Sequence, residues 1–301
     1  MGFAFFSKHT HRTPYRISPI PSHIQVARRL NISLVLYRTP ESEWLPLVQE
    51  LLRSQNVQRI YLVDNSPQPL ADPQSKIGNR KSAVEYIHTG KNLGYGAAHN
   101  VAIRESIYDE VPFHLVMNTD IRVTAEAVDN LLQVMESNGL IGQLLPRVVD
   151  TNGELQYVCK LIPTPFDLLR RVVMGRAGRN SRANARFELR HLDHSRPINA
   201  PYLSGCFMLL RTEALMKAGL FDERFFMYPE DIDLTRRIHR DYMTLYYPSE
   251  TIVHAHRQAS YHSLKMLWVH AWNMCRYFNK WGWLFDRERR YYNNLTLNAK
   301  R

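Results

Sequence analysis

Three apolar runs along the chain each end abruptly in polar residues. Ile32-Ser33-Leu34-Val35-Leu36 gives way to Tyr37-Arg38-Thr39, and Ile60-Tyr61-Leu62-Val63 gives way to Asp64-Asn65-Ser66. The run that starts at Phe113 ends in Asn118-Thr119-Asp120. Short buried strands of this kind, separated by helical stretches such as 44–53, predict a parallel α/β sheet. Ligands of such sheets bind beyond the carboxyl ends of the strands, so the polar tips are expected to converge on one crevice.

The rest of the pattern fills in around that sheet. A short strand is expected over Val84–His88, then a loop that runs into a helix over 94–106. Ala125, Val128, Leu131, Leu132 and Met135 recur at helical spacing, and Asn138-Gly139 supplies a stop. An extended stretch at 141–149 leads through a turn at 150–154 into a strand at 155–159. Further on, 202–211 is expected as one apolar strand with Gly205 inside it, followed by a short helix at 213–218. Glycine within a strand marks either close approach of another group or a plain bulge. Residues 263–285 predict an aromatic amphipathic helix. Its apolar face either packs on the main domain or lies at a membrane interface, where tryptophans beside lysine and arginine suit the headgroup zone.

Composition adds limits. A chain of 301 residues with 45% hydrophobic content can bury a substantial core. No run reaches the roughly 18 apolar residues that cross a bilayer, and the apolar patch at Met1-Gly2-Phe3-Ala4-Phe5-Phe6 is short for a secretory signal, so a cytoplasmic protein is expected. Cys159, Cys206 and Cys275 have the spacing of neither a disulfide framework nor a metal site and are expected as reduced packing residues. The formal charge of +11 implies an anionic partner: nucleic acid, anionic lipid, a phosphorylated glycan or a nucleotide diphosphate. Nucleic acid is set aside, because no recognition-helix pattern, aromatic RNA-binding signature or zinc spacing is present. An arginine-rich stretch over about 165–198, interrupted by Gly, Ser, Asn and Ala, is expected to be mobile.

The densest chemistry lies in Phe225-Phe226-Met227-Tyr228-Pro229-Glu230-Asp231-Ile232-Asp233-Leu234-Thr235-Arg236-Arg237. Pro229 suits a helix start, and Glu230 and Asp231 then fall where the helix dipole favours negative charge. Together with Val63-Asp64-Asn65-Ser66, Asn92-Leu93-Gly94-Tyr95-Gly96-Ala97-Ala98-His99-Asn100, Asn118-Thr119-Asp120 and Tyr202-Leu203-Ser204-Gly205-Cys206, this segment resembles family 2 glycosyltransferases of the GT-A fold, particularly the bacterial rhamnosyltransferase-like members. The likeness runs from about Asn31 to His256.

The resemblance implies an α/β, Rossmann-like, mostly parallel sheet flanked by helices. It divides the chain into a basic arm at 1–28, a catalytic domain at 29–256 and a helical extension at 257–301. It implies a donor site made by Tyr37, Asp64, Asn92, Gly94, Asn100, Asn118, Thr119 and Asp120. Asp64 would contact the nucleobase, although an Asx turn closing its strand accounts for it equally well. Asn118-Thr119-Asp120 occupies the place of the family's Asp-x-Asp motif with asparagine for the first acid, leaving Asp120, with His254, to hold Mg²⁺ or Mn²⁺. Asp231 matches the catalytic base, with Glu230, Asp233 and Arg237 as acceptor or supporting residues, and Arg236 or an arginine of the 165–198 stretch set against leaving-group charge. Four-residue spacing makes a helix-stabilising ion pair the default role for Asp233 and Arg237.

The implied function is inverting transfer from a nucleotide sugar, dTDP-L-rhamnose first, to lipopolysaccharide or another lipid-linked glycan at the inner membrane surface. The alternatives are a UDP-sugar donor (galactofuranose, glucose or N-acetylglucosamine) or a non-catalytic nucleotide-sugar-binding relative.

Overall fold

The computed structural model describes residues 29–78, 80–174, 178, 181–255 and 264–298, so the arm expected at 1–28 lies outside the described residues. Strands β1 (Leu30–Leu36), β2 (Val57–Asp64), β3 (Val84–His88) and β4 (Phe113–Met117) form a parallel block in the order β3-β2-β1-β4. Helices α1 (Glu41–Leu51) and α2 (Tyr95–Tyr108) and the helix α3 (Ala125–Ser137) accompany this block. Because β1 is flanked by β2 on one side and β4 on the other, the sheet order reverses at β1, and the crevice of such a sheet opens at that point.

Beyond β4 the sheet turns mixed. Strand β10 (Phe207–Arg211) pairs antiparallel with β4 and with β6 (Ile141–Val149), and β6 pairs parallel with β11 (Met243–His254). The two-residue strands β5 (Ile121–Arg122) and β8 (Ile198–Asn199) add antiparallel to β11, while β7 (Cys159–Lys160) and β9 (Tyr202–Leu203) form a separate two-stranded ribbon. The remaining helices are α4 (Pro165–Val173), α5 (Arg182–Phe187), α6 (Thr212–Ala218), α7 (Glu230–Ile238), α8 (Leu264–Trp281) and α9 (Arg287–Asn298).

Alternation along β1 sends Leu30, Ile32, Leu34 and Leu36 into the main apolar core. Its other face carries Asn31 and Ser33, also fully buried; Asn31 Nδ2 donates to the Ser106 hydroxyl at 3.0 Å, and Ser33 joins a polar chain running to α2 and β4. The Ser33 hydroxyl lies 2.6 Å from His99 Nδ1 and 2.8 Å from His114 Nε2, and His114 Nδ1 lies 2.7 Å from the Ser106 hydroxyl. Burial pushes the His114 imidazole down to about 3, so the chain is neutral at physiological pH and fixes α2 against the sheet.

Within the arginine-rich stretch over 165–198, α4 starts with a capping box in which the Thr164 hydroxyl accepts from Asp167 N–H and the Asp167 carboxylate accepts from Thr164 N–H, with Pro165 in the first turn. Phe187 and Leu189 beyond it join the core. Two sequence expectations are corrected. The strand expected at 202–211 is two strands separated by Ser204-Gly205-Cys206. The single helix expected at 263–285 stops at Trp281, because Gly282 takes φ +100°, a conformation open to glycine, and the short α9 follows.

Helix α8 is docked by Met274, Tyr277 and Phe278, which pack with Phe225 and Ile232. Its opposite side leaves Trp268 75% and Trp272 58% exposed. No helix among the described residues is long and apolar enough to cross a membrane.

Candidate active site

Phe207 of β10 pairs with Met117 of β4, so the loop that enters β10 lies beside the residues that leave β4. That loop, Ser204-Gly205-Cys206, is a junction. The Cys206 carbonyl accepts from Asn118 N–H at 3.0 Å, and the Gly205 carbonyl accepts from the Tyr95 hydroxyl at 2.7 Å. The Gly205 N–H donates to Asp231 Oδ2 at 2.9 Å. A Cβ on Gly205 would lie 2.9 Å from that of Asp231, so only glycine lets the carboxylate approach this backbone. Gly205→Ala is therefore expected to displace Asp231 and to lower turnover by about 10²-fold, with thermal unfolding showing the fold retained. Unchanged kcat in the folded variant would show that this contact does not set the position of the carboxylate.

Asp231 sits in the first turn of α7, and its Oδ1 accepts from Ile232 N–H at 2.8 Å. Burial raises its carboxyl to about 6, against the opposing pull of the Gly205 and Ile232 N–H groups and the charge of Lys160. Glu230 beside it is also buried, and its Oε2 has no hydrogen-bond partner. Burial first, and the Asp231 charge second, push the Glu230 carboxyl well up. Asp231 accepts from two backbone N–H groups of neighbouring residues and is the first of the two acids to ionise. That gives one carboxylate poised to accept a proton near neutral pH and a neutral neighbour able to donate a hydrogen bond.

The other side of the junction holds Asp120 and His254. His254 Nε2 lies 3.4 Å from Asp120 Oδ1, and its Nδ1 lies 3.2 Å from Gln156 Oε1. Burial disfavours the charged ring, but the Asp120 carboxylate and the Cys206 thiol outweigh it and raise His254 to about 10. The two side chains thus form an ion pair, and for them to share a hard cation, whose adjacent octahedral ligands lie about 3 Å apart, the ring would have to release its proton. Among the described residues no group of three or more His, Cys, Asp or Glu is placed to hold a metal. A cation here would draw its remaining ligands from phosphate oxygens and water.

Tyr95 links the two halves. Burial raises its hydroxyl pKa, and so do Cys206, Glu230, Asp231 and Asp120, which places that hydroxyl within electrostatic reach of both acid groups. Tyr95 lies inside the glycine-containing motif, and nothing in the sequence marks it out for a role there. No periodicity distinguishes a tyrosine whose hydroxyl holds a backbone carbonyl 110 positions away.

Residues 41–219 match the profile of the family described as glycosyl transferase family 2. The chain belongs to that family. A Mycobacterium tuberculosis protein named N-acetylglucosaminyl-diphospho-decaprenol L-rhamnosyltransferase is 30% identical over 203 residues, covering 62% of this chain and 65% of its own length. A Haloferax volcanii protein named low-salt glycan biosynthesis hexosyltransferase Agl10 is 25% identical over 215 residues, covering 70% of this chain and 62% of its own. The chain thus spans less than two thirds of the length of these curated relatives. Among solved structures, GalNAc-T7 with UDP, GalNAc and Mn²⁺ aligns with TM-score 0.55 at 12% identity, over 75% of this chain and 43% of that one. The mannosyltransferase PcManGT from Pyrobaculum calidifontis, with GDP-Man and Mn²⁺, aligns with TM-score 0.50 at 16% identity, over 84% and 63%. At such identities the likeness is one of fold, the GT-A fold.

The other residues that the family 2 resemblance singled out fall into two groups. Tyr37 at the tip of β1 is 47% exposed, and Asn118, Thr119 and Asp120 are half-buried at the tip of β4, with the Thr119 hydroxyl bonded to Glu43. Asn92 orders its own loop, its Oδ1 accepting from Gly94 N–H at 3.0 Å. Gly94 takes φ +87°, and a Cβ there would lie 2.3 Å from the Phe226 carbonyl oxygen. The Tyr95 N–H donates to that same oxygen at 3.0 Å, so the glycine loop is seated on the segment that leads into Asp231.

The second group is engaged in hydrogen bonds and ion pairs within the fold. Asp64 is fully buried, with Oδ1 accepting from Ser66 N–H at 2.8 Å and Oδ2 from the Tyr86 hydroxyl at 2.7 Å, so its carboxylate closes the strand as an Asx turn does. Asn100 clamps Phe221 through both its amide atoms, at 2.9 and 3.0 Å, and also reaches Glu223 at 3.0 Å. Arg236 is not set against leaving-group charge: it is buried, forms two hydrogen bonds to Asp286 at 2.7 and 2.6 Å, and lies 3.9 Å from the Trp281 ring centroid. Asp233 and Arg237 do form the expected helical ion pair at 2.8 Å. Asp233 also accepts from Trp281 Nε1 at 2.7 Å and pairs with Lys280 at 2.6 Å, tying α7 to α8.

Proposed function

We propose that the protein is an inverting glycosyltransferase that moves L-rhamnose from a dTDP donor to a hydroxyl of a lipid-linked surface glycan at the inner face of the cytoplasmic membrane. The observation that carries this reading is the junction at 204–206, which ties the Asp231 carboxylate to one side and Asn118 to the other, with Asp120 and His254 next to it. The choice of donor and acceptor follows the relative named as an L-rhamnosyltransferase acting on a diphospho-decaprenol substrate.

In the reaction, Asp231 accepts the proton of the acceptor hydroxyl as that oxygen bonds to the anomeric carbon. The bond from that carbon to the diphosphate oxygen breaks, and the nucleoside diphosphate leaves with the electron pair. Attack on the face opposite the leaving group inverts the centre. Glu230, in its neutral form, would orient the acceptor, and Tyr37, which is partly exposed, would meet the nucleobase. Asp120 and His254 would hold a divalent cation that offsets the charge developing on the diphosphate.

Transfer measured across dTDP-, UDP- and GDP-sugars, with and without chelator, tests the reading. Turnover is expected with dTDP-L-rhamnose, falling at least 10-fold in chelator and recovering on addition of Mn²⁺ or Mg²⁺. Turnover with a UDP-sugar instead would move the donor assignment. Full activity in chelator would remove Asp120 and His254 from metal binding.

A further inference from the structure

We propose that the groove between α4 and α8 holds the isoprenoid chain of the acceptor, an inference that rests on the lipid-linked reading above. The groove has a volume of about 490 Å³ and is lined by Leu168, Leu169, Leu267, Trp268, Ala271 and Phe278 among others, its polar lining side chains being essentially the His270 imidazole and the Cys275 thiol. Apolar surface left open to water at this density marks a binding site.

Its inner end points to the occupant. Met274 and Phe278 line the groove and also belong to the apolar cluster that contains Ile232, the residue after Asp231, with Leu168 and Tyr202 packed against it. Lys160 lies 5.4 Å from the Tyr202 ring centroid, and its charge reaches Asp231. Apolar groove, ammonium group and proton-accepting carboxylate thus follow one another in the order isoprenoid, diphosphate, sugar hydroxyl. A flat bilayer contact would require the exposed tryptophans of α8 but no apolar continuity with the base. The groove wall also grips the loop ahead of Asp231: Asn273 Nδ2 donates to the Met227 carbonyl at 3.1 Å, and the His270 ring lies 4.4 Å from that of Tyr228. Filling the groove therefore bears on the segment that carries Glu230 and Asp231.

Geranylgeranyl phosphate, kept below its micelle concentration and titrated calorimetrically into the full chain, is the probe. Saturable binding is expected, weakened at least 10-fold in Ala271→Phe, which fills the groove from its exposed side, and in Leu169→Gln. The thermal shift produced by the nucleotide sugar is expected to stay unchanged in both variants. Parent-like affinity in both variants, or no binding by the parent, overturns the inference. So does a loss confined to anionic phospholipid vesicles, which would make the face a bilayer contact, or a changed sedimentation coefficient in Ala271→Phe, which would make it an interface between copies. Transfer to an isoprenoid-linked acceptor with unaltered probe affinity in Ala271→Phe refutes the groove alone. Transfer only to a water-soluble glycan, with no probe binding, refutes the lipid-linked reading together with it.

Discussion

Asp231→Asn is expected to lower turnover by about 10²–10⁴-fold while leaving the fold and donor binding in place. The amide cannot take the acceptor proton, and among the described residues no other carboxylate is held beside the Gly205 N–H. Stability changes little because two effects oppose. The folded-state pKa of Asp231 is raised from 3.8 to about 6, so the folded protein binds this proton more tightly than the unfolded chain does. The favourable contribution of the protonated form is lost as pH rises through that window, and at neutral pH the buried charge costs the fold on the order of 3 kcal/mol. Asparagine removes that cost but leaves either the Gly205 or the Ile232 N–H facing an amide NH₂, a loss of about 1–3 kcal/mol. The parent's kcat/KM is expected to rise with pH through about 6, where Asp231 becomes the charged base, and the residual rate of the variant is expected to lack that limb. Turnover within a few fold of the parent, or an unaltered acid limb, would show that another group accepts the proton.

Arg236→Ala is expected to destabilise the protein by about 3–5 kcal/mol in urea or thermal unfolding. Its guanidinium is almost wholly buried against Asp286, also buried, and is shared with Glu288 at 3.0 Å. Removing it strands the Asp286 carboxylate without its main counter-charge. Asp286 caps the start of α9 by accepting from Arg289 N–H at 2.9 Å, so the loss spreads to the C-terminal helices. A double variant, Arg236→Met with Asp286→Leu, is expected to recover much of the stability, because the cost lies in the unpaired charge more than in the missing bond. A loss below about 1 kcal/mol for Arg236→Ala would show that water or Arg289 compensates. Since α7 carries both Arg236 and Asp231, activity is expected to fall along with stability.

The strand tips were legible in the sequence because β1, β2 and β4 are short apolar runs buried on both faces that stop where the crevice begins. The Asp233–Arg237 pair was legible because helical spacing fixes it locally. What escaped was set by contacts distant along the chain. The 202–211 stretch is apolar on either side of Gly205, and nothing local says that Asp231 will press against that glycine. The hydrogen bonds of Asn100 to Phe221 span 121 positions, and no local pattern announces them. Arg236 is expected from the sequence against leaving-group charge, yet its partner Asp286 lies fifty positions later in the chain. The start of α4 was written in Thr164-Pro165-Phe166-Asp167, a capping box masked by the arginines and glycines that follow it.

The most direct measurement is a crystal structure with the nucleotide sugar and Mn²⁺, located by anomalous scattering at the manganese edge. The metal is expected within bonding distance of Asp120 and His254, with the anomeric carbon of the donor facing the Asp231 carboxylate across the 204–206 loop. Manganese bound elsewhere, or a donor sugar separated from Asp231 by the body of that loop, would contradict a single crevice shared by the two acids.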